Sequence, residues 1–271
     1  MFGKGLNKAI SLPKELYQSR QLIWKLAKND FKKRYAGSYL GAIWAVVQPA
    51  ITIAMYYVVF DIIMKTGGNG EVPYVLFLTT GIIPWFYFNE GLQNGTHSLL
   101  EYSYLVKKVV FKISILPIIR IIAATFVHIF LVGVIVILGC IYGYYPNIYS
   151  LQLIYYSFCL FILMLGISYI TSSVTVFFRD MGQLVTVALQ VGIWATPIFW
   201  DIKSMGPKAQ FIMNLNPVAY VVEGYRSTFF EKKWFFENVG ATIYFWLITI
   251  GIFSIGALVF KRLKVHFADV L

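Results

Sequence analysis

Apolar residues fall in six long blocks separated by charged or turn-rich intervals, and the blocks predict helices that cross a lipid bilayer. A crossing helix needs about 20 mostly apolar residues, because no water is present in the hydrocarbon to satisfy backbone N–H and C=O groups. The blocks cover residues 40–64, 72–91, 117–142, 151–178, 184–200 and 239–260. The fifth is short and carries Gly192 and Pro197. Between the fifth and sixth, apolar pieces at 209–215, 218–220 and 228–230 are interrupted by Pro207, Pro217 and Gly224. Each piece is too short to cross, so the interval of about 201–238 predicts a re-entrant helical hairpin dipping into the outer leaflet. The expected fold is an all-α integral membrane protein with six transmembrane helices.

The first 38 residues follow a different pattern. On a helical wheel Leu12, Leu16, Ile23 and Ala27 share one side, flanked by Leu26 and Phe31, while Lys14, Lys25, Lys28 and Lys32 lie opposite. This spacing predicts an interfacial helix along the cytoplasmic surface, its apolar face in the headgroups and its lysines toward anionic lipid or a cytosolic partner. The resulting division is a cytoplasmic amphipathic segment at 1–38, a membrane domain at 39–260 and a cytoplasmic tail at 261–271. No secretory signal is visible, so the first block is expected to act as its own insertion signal.

Composition agrees with lipid as the main solvent. Only 13% of residues are charged and 59% are hydrophobic, against about 25% charged in ordinary soluble chains. The formal charge of +11 raises the possibility of nucleic acid, but the Lys and Arg residues sit between the apolar blocks. They concentrate before residue 39, between 101 and 120, at Arg179, and at Lys261, Arg262 and Lys264. That bias places both termini in the cytoplasm and argues against nucleic acid as a partner. Cys140 and Cys159 lie inside apolar blocks, where neither a disulfide nor a metal site is expected, and His128 lacks a spaced partner for metal binding.

Several short runs resemble the ABC-2-type polysaccharide export permeases. The first is Asp30-Phe31-Lys32-Lys33-Arg34-Tyr35, followed by Gly37-Ser38-Tyr39-Leu40-Gly41, Trp44 and Gln48-Pro49. Phe178-Arg179-Asp180, Thr196-Pro197-Ile198, and Asn216-Pro217 followed by Tyr220, Glu223, Gly224, Tyr225 and Arg226 continue the resemblance in order over nearly the whole chain. Within the family the chain looks nearest to teichoic acid translocation permeases, with O-antigen export permeases as the near alternative. The resemblance implies a bacterial plasma-membrane homodimer working with two copies of a separate cytosolic ABC ATPase. It also implies export of a polymer carried on undecaprenyl diphosphate.

The sequence has no G-x-x-x-x-G-K-[ST] loop to cradle phosphates. ATP and Mg would therefore belong to the partner, and the chain itself is expected to be a transport subunit with neither cofactor nor catalytic residue. Elements that an ATPase could push are expected to carry Glu101, Tyr102, Tyr104, Lys107 and Lys108 on a helix ending before Pro117, and Arg179 and Asp180 in the next cytoplasmic turn. A sugar path needs hydrogen-bonding groups and aromatic planes. Polar stripes supply them: Trp44, Gln48, Thr52 and Tyr56 on the first block, Thr80, Tyr87, Glu90 and Asn94 on the second, and Gln190 and Trp194 on the fifth. Lys33, Arg34 and Arg120 are placed by sequence to meet the lipid diphosphate. Pro197, Asn216, Pro217, Glu223 and Arg226 would form an outer gate, with Glu223 and Arg226 paired at i, i+3.

The same residues leave other readings open. Thr, Asn and Gln glue packed membrane helices, Trp and Tyr favour the interface, and Lys and Arg snorkel to lipid phosphates. An ABC-2 exporter of O-antigen, a drug or another lipid would use similar stripes. A membrane-embedded polyprenyl-phosphate enzyme would need clustered carboxylates or histidines, whereas the acids here are scattered.

Overall fold

The computed structural model describes residues 11–65, 72–107 and 112–271, with side chains from Ser19 onward. Every regular element among them is helical. Helix α1 (Ser11–Arg34) precedes α2 (Trp44–Tyr57), which begins in a 3₁₀ turn and runs on as a π-helical segment, Val58–Ile63. Then follow α3 (Tyr74–Glu101), the short α4 (Ser103–Val106), α5 (Leu116–Ile141), α6 (Gln152–Phe177) and α7 (Met181–Gly192). The chain closes with α8 (Pro207–Asn214), α9 (Pro217–Arg226), α10 (Val239–Leu263) and α11 (Phe267–Val270).

Among the described residues, four stretches are long and apolar enough to cross a membrane: Gly41–Ile63, Ile113–Ile141, Ile148–Phe177 and Val239–Val270. Two predicted blocks differ from this pattern. Helix α3 extends to Glu101, ten residues past the expected end at Gly91, because Asn89, Glu90, Gln93, Asn94 and His97 continue the helix inside a protein environment. In the fifth block α7 stops at Gly192, and the strap that follows, 193–200, is made of turns.

Helix α3 is the hub, packed against α5, α6, α7, α9 and α2. Small residues let it approach its neighbours, as expected where lipid supplies no hydrophobic force between helices. Gly91 and Gly95, one turn apart, meet Met164 and Ser168, which are also one turn apart on α6. Helices α6 and α10 cross the same way, with Gly256 of α10 seated on the Gly166 carbonyl of α6. Side chains at either glycine would push backbones apart.

The amphipathic reading of α1 holds in its periodicity but not in its partner. Ile23 and Ala27 are buried and α1 packs on α5, so the apolar face meets protein where the headgroups were expected. Trp24 and Phe31 both stand edge-on to Phe126 of α5, at 5.2 and 6.0 Å between ring centroids. Lys25, Lys28, Lys32 and Lys33 remain exposed on the far side, whereas the side chains of Leu12, Lys14 and Leu16 lie outside the described residues. After α1 the chain reverses through Gly37 and Gly41, whose φ of 87° and 53° favours glycine.

Candidate functional site

The end of α1, the start of α2, and the facing surfaces of α3 and α5 enclose a cavity of about 450 Å³. Trp44 and Gln48, one turn apart on α2, line it opposite Tyr87 and Glu90, which are i, i+3 on α3. Arg34 reaches in from the last turn of α1 and pairs with Glu90. The structure thus brings together four residues assigned to the path and one assigned to the diphosphate. The Tyr87 ring stacks on His128 at 4.2 Å with an interplanar angle of 13°. Its hydroxyl shares a 2.8 Å hydrogen bond with Thr125.

His128 belongs to this wall, a role its sequence context did not announce. Its Nε2 lies 2.9 Å from Ser157 Oγ and 3.0 Å from Tyr225 Oη, and those two hydroxyls are 2.8 Å apart. Its Nδ1 is buried with no hydrogen-bond partner. Asn94 Nδ2, further along α3, is in the same condition.

Other path residues fall elsewhere. Tyr56 and Trp194 meet through Phe199 of the strap, at 4.7 and 5.1 Å between centroids, and Phe60 stacks on the same ring at 5.0 Å. Phe60 and Phe199 were not anticipated, since isolated phenylalanines in apolar runs carry no pattern. Thr52 donates to the Gln48 carbonyl at 3.0 Å. Thr80 is fully buried and donates to the carbonyls of Leu76 and Phe77, and it lines neither of the two cavities described here. Gln190 is exposed and lines neither cavity described here.

The residues expected to form an outer gate converge on the strap. Asn216 caps α9 by accepting from the Val218 N–H at 3.0 Å, and its amide donates to Thr196 Oγ1 at 2.9 Å. Pro217 occupies the first turn of α9, where its missing N–H costs nothing. Arg226 donates to Glu223 Oε1 and to the Ile198 carbonyl, both at 2.8 Å, and its guanidinium lies 3.6 Å from the Phe77 ring centroid. Pro197, buried, sits between the two anchored strap residues.

Residues 21–230 match the family model described as ABC-2 type transporter. The chain belongs to the ABC-2 type transporter family. Among its relatives is an O-antigen export system permease protein RfbA of Klebsiella pneumoniae, 28% identical over 254 residues, which are 92% of this chain and 95% of that protein. A protein of the same name from Myxococcus xanthus is 25% identical over 227 residues, 83% of this chain and 86% of that one.

In this ABC-2 transporter chain the residues expected to meet an ATPase are divided. Helix α3 breaks at Tyr102, so 101–116 is not one continuous helix. Tyr102 is buried and donates to Asp30 Oδ1 at 2.9 Å, which turns it inward. Arg120, assigned to the diphosphate, instead pairs with Asp30 at 3.0 Å and with Glu101, and its guanidinium covers the Tyr102 ring. A guanidinium held between two carboxylates has little left for a third anion. Tyr104, Lys107, Arg179 and Asp180 are exposed, and Lys108 lies outside the described residues. Lys33 is exposed beside Arg34 at the end of α1.

Proposed function

We propose that the chain is the permease subunit of an ATP-driven exporter that moves an undecaprenyl-diphosphate-linked polysaccharide from the cytoplasmic to the outer face of a bacterial plasma membrane. The cavity holding Arg34, Glu90, Trp44, Gln48 and Tyr87 carries this reading. It combines a guanidinium paired with one carboxylate, Glu90, and open to a diphosphate that displaces it, with amide and aromatic groups for sugars. Arg34 takes the diphosphate role, with exposed Lys33 beside it, and Arg120 serves to hold α1 in place.

In the proposed arrangement the chain crosses the membrane six times, α3 and the α7-plus-strap segment included, with both termini cytoplasmic. Helices α8 and α9 form the re-entrant hairpin of the outer side, within a membrane domain of 39–260. Two copies pair and each engages an ATPase subunit, which holds ATP and Mg, through Tyr104, Lys107, Lys108, Arg179 and Asp180. The names of the relatives favour an O-antigen-like glycan as cargo over teichoic acid.

The test is copurification with the ATPase, reconstitution in liposomes, and measurement of hydrolysis with defined lipid-linked saccharides. Stimulation by lipid-linked glycans, reduced in Arg34→Ala and Tyr87→Ala, is the expected result. Stimulation by amphiphilic drugs with no response to glycolipids would overturn the reading.

A further inference from the structure

A second cavity, larger than the first at about 790 Å³, opens between α8, α9, the 234–238 turn and the first turns of α10. Phe211, Trp234 and Tyr244 line it at partly or fully exposed positions, with Phe211 67% exposed.

Two of these rings are held in place before any ligand arrives. Trp234 stacks on Phe236 at 5.6 Å and 10°, and its backbone N–H donates to Glu237 Oε1 at 2.7 Å. Tyr244 Oη donates to the Leu215 carbonyl at 2.9 Å. Hydrogen-bonding groups are interleaved with them, since Asn214, Asn238 and Glu237 line the same wall.

The charge on the lining decides what can bind. Lys203 and Lys233 are its cations, and both are engaged by Glu231, Lys233 at 3.0 Å. Glu237 adds a further carboxylate and Glu223 is already paired with Arg226, so the lining has no surplus of cations. A phosphodiester chain would find no surplus of cations and would have to compete with Glu231 for both lysines at every repeat, whereas an uncharged pyranose can lay its C–H face on a ring and its hydroxyls on carboxylates and amides.

We propose that this groove is an exit site for uncharged sugar residues of the exported glycan, and that it favours neutral hexose or hexosamine polymers over polymers of alditol phosphates. The proposal rests on the export reading above and names the substrate class.

The experiment uses the permease–ATPase complex in nanodiscs of phosphatidylcholine and phosphatidylglycerol. Saturation-transfer NMR and calorimetry follow binding of neutral hexose and N-acetylhexosamine oligosaccharides, and separately of oligo(glycerol phosphate). Neutral saccharides should bind, about tenfold more weakly in the Phe211→Ala/Trp234→Ala variant. Trp234→Phe, which keeps a ring, should retain most of the affinity, and unchanged association with the ATPase shows that each variant is folded. Equal or tighter binding of oligo(glycerol phosphate) overturns the proposal, as does absence of neutral binding. Wild-type affinity in the double variant also overturns it, as does occupancy by phospholipid headgroups that saccharides cannot displace. If lipid-linked glycans stimulate hydrolysis while the groove variants bind sugars normally, the groove fails alone. If sugars bind as expected but lipid-linked glycans do not stimulate hydrolysis, the export reading fails.

Discussion

Substituting Arg226→Met removes a guanidinium that donates to Glu223 and to the Ile198 carbonyl, each at 2.8 Å, and that faces the Phe77 ring at 3.6 Å. Methionine refills much of the volume, so the loss is electrostatic. Removing one member of a buried ion pair costs about 3–5 kcal/mol, because the other charge is left unpaired. The Glu223 side chain keeps 27% exposure against 6% for Arg226. Water therefore recovers part of the lost pairing, and the expected loss is at the lower end, about 3 kcal/mol. Glu223→Gln keeps an acceptor for the guanidinium and should cost less, about 1–2 kcal/mol. The double variant should fall short of the sum of the singles by about 1.5 kcal/mol or more, since the second change removes the orphaned charge. Reversible unfolding in mixed detergent micelles, followed by tryptophan fluorescence on the four proteins, measures the cycle. Additivity within about 0.5 kcal/mol would refute the reasoning, and so would an Arg226→Met protein as stable as the parent.

Gly224→Ala should destabilise by about 1–3 kcal/mol, because the added Cβ overlaps the ring of buried Tyr156; Tyr156→Leu in the same chain should restore most of it in the same unfolding assay. Asp30→Ala removes the acceptor shared by Tyr102 and Arg120 and should loosen α1 from α5, read as faster tryptic cleavage at the exposed Lys25, Lys28, Lys32 and Lys33. Stability should also depend on pH through Glu231. Desolvation pushes its carboxyl up, but hydrogen bonds from Lys203 and Lys233 outweigh this and hold it below its ordinary value of 4.5. A depressed carboxylate contributes fully above that ordinary value and loses its contribution as pH falls through the lower, folded value. A thermal-stability titration descending past 4.5 should therefore show an acid-side loss, within about 1 kcal/mol for so exposed a group, that is absent in Glu231→Gln. On the alkaline side the hydrogen bond to Glu231 holds the Lys203 ammonium above its ordinary value of 10.5, so its contribution persists until pH rises beyond that.

Helices α5 and α6 were legible to within a residue at each end, since uninterrupted apolar runs and Pro117 at a helix start leave few alternatives. Helix α3 was not, because hydropathy alone reads Asn89 through His97 as leaving the membrane, while the structure surrounds them with α5 and α6. Gly192, the last residue of α7, faces the Trp85 ring, which occupies the space a side chain would need, a contact more than a hundred positions away in sequence. Of the stripes read from periodicity, Trp44 and Gln48 on α2 and Tyr87 and Glu90 on α3 line one cavity, whereas Thr52, Tyr56, Thr80 and Asn94 do not line it. Periodicity could not show that Arg120 belongs to Asp30, 90 residues distant, nor that Tyr102 turns inward to the same carboxylate. Long-range partners of charged groups are set by tertiary packing, which leaves no local trace.

His128 Nε2, Ser157 Oγ and Tyr225 Oη lie within 3.0 Å of one another and tie α5, α6 and α9 into one hydrogen-bonded cluster, with Tyr87 of α3 laid flat on the imidazole. Tyr225 adjoins Arg226, the residue that fastens the strap, and Tyr87 walls the first cavity. Rotation of α9 about its own axis would have to pull the phenol out of this cluster. The first cavity and the strap therefore share one packed cluster, so a shift of the Tyr87 ring would bear directly on the turn of α9 that carries Tyr225 and Arg226.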